Sequence, residues 1–210
     1  MVSVVVHNPE WFLRTDIVFS AISIFVSLLV AAVSFRSWFV IKRLRYLAWS
    51  LAFLTLSGAF FTRMFANLVP STDPFYSLTF YVGYGLHIVG TIFAFLTLFI
   101  VANKMENPRV MALFYLLIIP AIFLSASYFF SFYIITTIIT AMLAATYLQH
   151  ALKVKRFSSF CVFSAFLMLF LAHVQFLLSS LDKVFYFSAS ISQLLAFVLF
   201  LITIIKVLKS

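Results

Sequence analysis

Arg63 is the residue whose chemistry most needs explaining. It lies in "GAFFTRMFANL", Gly58 to Leu68, inside an apolar run with no acidic residue within nine positions on either side. A guanidinium in hydrocarbon is costly and normally faces a partner anion, a cavity or the interface. The polar groups available to join it are Asn67, Tyr84, His87, His173, Gln175 and Gln193, and Asp16 is the nearest plausible anion. A guanidinium among neutral donors suits a carboxylate or phosphate. Two histidines on different helices suit the axial positions of a haem.

The elements that must hold these groups are membrane helices. Of 210 residues, 65% are hydrophobic and only 9% charged, where soluble domains carry about 25% charged residues. Seven apolar runs of spanning length cover 16–35, 47–68, 78–102, 110–127, 131–149, 159–180 and 186–206. Each is helical, because an open strand in lipid leaves backbone groups unpaired. The expected fold is therefore all-α and integral to the membrane, with one seven-helix domain over residues 1–210. Connections are short, so no fused kinase, nuclease or ATPase domain is expected within them.

Charge sets the expected orientation. The net charge is +9, and eleven of the fourteen basic residues fall on one side, including Lys42, Arg43, Arg45, Lys155 and Arg156. Glu10, Asp16, Asp73 and Asp182 fall on the other. The positive-inside rule places the N-terminus outside and the C-terminus in the cytoplasm, as expected of a multi-pass cell-membrane protein. The basic excess then meets anionic lipid rather than nucleic acid. Trp11, Trp38 and Trp49 fall at helix ends, as interfacial tryptophans do. The segment Met1–Arg14 lacks the charged-then-apolar pattern of a cleaved signal and is expected to lie on the outer surface. The single Cys161 can form neither an internal disulfide nor a metal site.

Shifting the sequence by 113 positions lays 31–68 over 144–181. Identities include Ala31/Ala144, Lys42/Lys155, Arg43/Arg156, Ala52/Ala165, Phe53/Phe166, Leu56/Leu169 and Ala59/Ala172. Helices 1–3 (16–102) and 5–7 (131–206) then read as parallel repeats, joined by a fourth helix (110–127) kinked at Pro120. This 3+1+3 plan resembles the sugar-transporting SWEET and PQ-loop proteins and, more distantly, the microbial rhodopsins. The resemblance is architectural. The chain has no Pro-Gln dipeptide, and Lys206 lies at the end of helix seven rather than midway, where retinal would need it.

Small and polar residues form stripes along several helices: Asp16, Ser20, Ser23, Ser27, Ala31 and Ser34 on the first, and Gly83, Tyr84, His87, Gly90, Thr91 and Ala94 on the third. Thr136, Thr140, Ala144 and Tyr147 mark the fifth, Thr55, Gly58 and Thr62 the second, and Ser188 and Ser192 the seventh. Such stripes allow close helix packing or line a narrow cavity. At about 1.5 Å per residue, Arg63, His87 and His173 fall roughly 8, 13 and 10 Å below the outer ends of their helices. They form one layer, with Asn67, Gln175 and Gln193 in or beside it.

Three uses of this layer are open: an Arg63–Asp16 pair, an outer pocket built from Arg63, Asn67, Tyr84, His87, His173, Gln175 and Gln193, or a haem between His87 and His173. Gly83 and Gly90 would give the haem a bare helix surface. Hydrolysis is disfavoured, since no HExxH occurs and Asp and Glu are absent from every helix centre. Ceramidase-like seven-helix hydrolases need more zinc ligands than His87 and His173. Proton-coupled pumping is disfavoured by the missing mid-membrane carboxylates. The expected function is non-enzymatic: a receptor, sensor or accessory subunit that binds a small or anionic ligand from outside, without a resident cofactor or metal. A membrane or cytoplasmic protein partner would meet the basic turns. The alternatives are a small-solute transporter of SWEET-like plan and a haem-binding redox protein.

Overall fold

The computed structural model describes residues 13–69, 75–105, 107–116, 120 and 129–209. Among them are seven helices: α1 Leu13–Ile41, α2 Leu44–Leu68, α3 Tyr76–Ala102, α4 Pro108–Leu116, α5 Phe129–Val154, α6 Phe157–Leu178 and α7 Lys183–Lys209. Six of them, all but α4, are long and apolar enough to cross a membrane. The spanning length expected for 110–127 and its kink fall largely outside the described residues, as do His7, Glu10, Trp11 and Asp73.

The six long helices close into a ring. Each packs on the next in the order α1, α2, α3, α5, α6, α7, and α7 returns to α1, while α4 lies against α3. Lipid offers no hydrophobic drive for such a ring, so close packing and interhelical hydrogen bonds must hold it. The α1 stripe shows how. Asp16, Ser20, Ser23, Ser27 and Ala31 are all buried, while Val18, Phe25 and Leu28 on other faces are exposed. Small side chains let α2 come near enough for Ser50 Oγ to donate to the Ala31 carbonyl at 2.9 Å.

Close approach also explains two glycines of α3. A Cβ on Gly83 would stand 2.8 Å from Ala66 Cβ and 2.9 Å from the Thr62 carbonyl, and one on Gly90 would stand 3.0 Å from Ala59 Cβ. Gly83→Ala is expected to cost about 1–3 kcal/mol by overpacking. Gly58→Ala should cost nothing by that route, since a Cβ there meets no atom within 4 Å. Equilibrium unfolding of the two variants side by side checks this.

Gly58 also corrects one expected stripe. Thr55, Gly58 and Thr62 do not face the interior: Gly58 is exposed, and the two threonine hydroxyls donate to carbonyls of their own helix, Leu51 and Ala59. The inward face of α2 is instead Ala52, Phe53, Leu56, Ala59, Phe60 and Arg63. Polar periodicity misled because a threonine can bond back to its own helix and face lipid without an unmet donor.

The α1–α2 and α5–α6 turns share one geometry. Lys42 and Lys155 adopt left-handed conformations, φ 58° and 54°. Their N–H groups donate to the carbonyls of Trp38 at 2.7 Å and Ala151 at 2.8 Å. This is the single-bond left-handed helix end that glycine usually supplies. Arg43 and Arg156 follow in extended conformation, and α2 and α6 start on the next residue.

Toward these turns the interior is largely aromatic. Phe53 and Phe166 are fully buried and both set their rings edge-on to Phe200, at centroid distances of 5.3 and 5.2 Å. Tyr147 stacks on Phe166 at 4.9 Å. The Arg63–Asp16 pair lies in the opposite half.

Candidate functional site: a buried polar layer around Arg63

Asp16 lies in the first turn of α1 and Arg63 in the last third of α2, so these antiparallel neighbours bring the two to one level. Arg63 Nη2 donates to Asp16 Oδ1 at 2.7 Å, and both side chains are almost wholly buried. The same Nη2 lies 2.7 Å from the Tyr186 hydroxyl oxygen on α7, which accepts from it. One turn along α2, Asn67 Nδ2 donates to Asp16 Oδ2 at 2.8 Å, and the Tyr84 hydroxyl donates to Asn67 Oδ1 at 2.7 Å. Asp16 thus has both oxygens satisfied, and the network ties α1, α2, α3 and α7 together.

Deeper in the bundle lie the two imidazoles. His87 Nδ1 is 2.9 Å from the Ala59 carbonyl of α2, and His173 Nδ1 is 2.7 Å from the Leu169 carbonyl of its own helix. A carbonyl oxygen only accepts, so Nδ1 carries the proton in each ring. Nε2 of the neutral ring is then left as an acceptor.

Both imidazoles border a chamber that Arg63, Thr91, Tyr133 and Gln193 also line, with apolar walls from Phe60, Phe95, Phe132, Leu169, Phe176 and Phe197. It gives about 20 Å³ to the centre of a water-sized particle, against the roughly 10–15 Å³ that one water requires. Two of its lining residues carry a buried polar atom without a hydrogen-bond partner, Arg63 Nε and Thr91 Oγ1. Arg63 therefore uses Nη2 on Asp16 and Tyr186 and keeps an Nε–H without a partner.

The sequence-derived candidates divide accordingly. Arg63, His87, His173 and Gln193 line the chamber. Asn67 and Tyr84 join the Asp16 network on the other side of Arg63. Gln175 stands apart, half-buried, accepting from Ser192 Oγ at 2.9 Å across the α6–α7 contact. Gly83 and Gly90, expected to give a haem bare helix surface, are packed on by α2 instead. The chamber beside the two histidines admits a water-sized particle. Among the described residues no three of His, Cys, Asp and Glu come together as a metal site.

Sequence reasoning missed Tyr186, Tyr133 and Thr91 as members of the layer. For Tyr186 a signal existed: it precedes Gln193 by seven positions, two turns along one face of α7. Tyr133 gave none, because it lies in a Phe-rich run in which any face could be the inner one.

No protein-family model, curated protein or solved structure matches the chain.

Proposed function

We propose that this chain is a non-enzymatic, multi-pass cell-membrane protein that binds a small anionic or polar ligand from the outer side, as a receptor or accessory subunit. The observation that carries the reading is the unpartnered Nε of a buried Arg63 beside a chamber bordered by Thr91, His87, His173 and Gln193. An arginine kept only for an ion pair gains nothing from a second, unmet donor edge, because a buried donor without a partner costs about 1–3 kcal/mol. A ligand supplies that partner.

The outer location follows from the basic turns, which lie at the far end of the same helices and belong in the cytoplasm by the positive-inside rule. Beneath the chamber, Phe53, Phe166 and Phe200 pack edge to face between it and those turns. That favours reception over carriage and implies a protein partner at the cytoplasmic turns to read the bound state.

The transporter reading keeps one supporting observation, the twofold pattern. Lys42/Lys155, Arg43/Arg156 and the helix starts Leu44/Phe157 match at the shift of 113 in backbone geometry as well as sequence. Buried positions match too: Ala52/Ala165, Phe53/Phe166, Leu56/Leu169, Ala59/Ala172, Phe60/His173 and Arg63/Phe176. These matches support a duplicated 3+1+3 plan. The chamber lies between the halves, with walls from α2 and α3 on one side and α5, α6 and α7 on the other. Sites between repeats are characteristic of transporters.

A thermal-stability panel tests the binding reading. Purified protein is heated with halides, small carboxylates, phosphate and neutral polyols at constant ionic strength. A concentration-dependent rise in the unfolding midpoint with one class is the expected result. No response to any of them would count against an outer ligand site.

A further inference from the structure

Resting on that reading, we propose that the chamber takes a single halide-sized anion, chloride or bromide, together with one proton held by His87 or His173. Size is the first argument. About 20 Å³ for the particle centre suits one atom slightly larger than water and is small for a carboxylate, phosphate or sugar.

Donor chemistry is the second. Arg63 Nε–H and Thr91 Oγ–H are the two buried groups that lack a partner here, and both can donate to an anion. Arg63 lies on α2 and Thr91 on α3, so the chamber receives donors from two walls.

Charge balance is the third argument, and it brings in the proton. Asp16 already neutralises Arg63 at 2.7 Å. An added anion would leave one negative charge uncompensated in a low-dielectric interior, at a cost of several kcal/mol. The groups around the imidazoles are Arg63 from α2, Tyr133 from α5 and Gln193 from α7, with Asp16 and Tyr186 behind the guanidinium. Tyrosine and glutamine supply no positive charge at neutral pH, so compensation falls to an imidazole. With each Nδ1–H held by a backbone carbonyl, the incoming proton goes to Nε2. That turns an acceptor into a donor on a residue that lines the chamber. The proton comes from bulk water and no covalent bond to carbon changes. The imidazole also explains how a site without a mid-membrane carboxylate can couple to protons.

The test is bromide and chloride titration of the full chain, read by thermal midpoint at pH 5.5, 6.5 and 7.5, with gluconate holding ionic strength. Halide affinity should rise about tenfold for each unit the pH falls while one proton enters with each anion. Thr91→Val, which removes an unpartnered hydroxyl and should fold normally, is expected to weaken halide binding about tenfold. Equal halide affinity at all three pH values would overturn the proton coupling. Full halide binding by Thr91→Val would place the ion elsewhere, such as the basic turns, and overturn the site. If small carboxylates stabilise the protein and halides do not, this inference fails and the outer-ligand reading stands. If the chamber holds only water, neither class stabilises and both fail.

Discussion

Arg63→Gln is expected to destabilise the bundle by about 3–5 kcal/mol, because it strands the Asp16 carboxylate in the interior without its counter-charge. Asp16 keeps the Asn67 amide at 2.8 Å and the Tyr186 hydroxyl at 3.5 Å, but neutral donors do not replace a guanidinium. The double variant Asp16→Asn/Arg63→Gln removes the stranded charge with its partner and should regain much of the loss. Unfolding free energies of wild type, both single variants and the double variant give the coupling directly. A coupling of about 2 kcal/mol or more is expected for a pair this short and this buried. Additive single effects would mean that the pair contributes nothing beyond its separate members.

The second large effect lies in the aromatic half. Phe53→Ala and Phe166→Ala should each cost about 2 kcal/mol, and the two costs should be similar. In lipid the transfer part of a core deletion is small, since the surroundings of the unfolded helices are also apolar. The cavity part remains, at about 24 cal/mol per Å³ over the roughly 100 Å³ that separates phenylalanine from alanine. Both rings lose the same edge-on contact with Phe200, at 5.3 and 5.2 Å. Unfolding in mixed detergent measures both. A large cost at Phe53 with none at Phe166 would argue that the 113-position correspondence has no energetic meaning.

Much of the architecture was legible because lipid restricts the options. Apolar runs of spanning length must be helices, and "VIKRLR" and "KVKRFS" had to be turns between them. The left-handed lysines were not legible, since glycine is the usual residue there and nothing in Lys42 or Lys155 announces the conformation. Helix four gave the least, with only Pro108–Leu116 and Pro120 described.

The site was legible in part, and for a specific reason. Arg63 and Asp16 stand out against an apolar background, and their depths are fixed by helical rise, so their meeting was calculable. Which neutral groups join them depends on rotation about each helix axis, which a Phe- and Leu-rich sequence barely encodes. Gln175 and Gln193 had equal standing in sequence, yet one bonds to Ser192 and the other lines the chamber. Gly83 and Gly90 show the same limit: glycine marks a close approach, but only the packing shows that α2 makes it.

Arg63 then has two roles: Nη2 pairs with Asp16, and the unpartnered Nε–H is proposed to bind ligand. Arg63→Lys separates the two. Its ammonium keeps a positive charge for Asp16 but, as a single point of donors, lacks the second edge of the guanidinium fork. The measurement is the ligand-induced rise in unfolding midpoint, compared between wild type and Arg63→Lys. The expected variant folds with stability close to wild type and has lost the ligand-induced rise. An undiminished rise in a folded Arg63→Lys protein would contradict it.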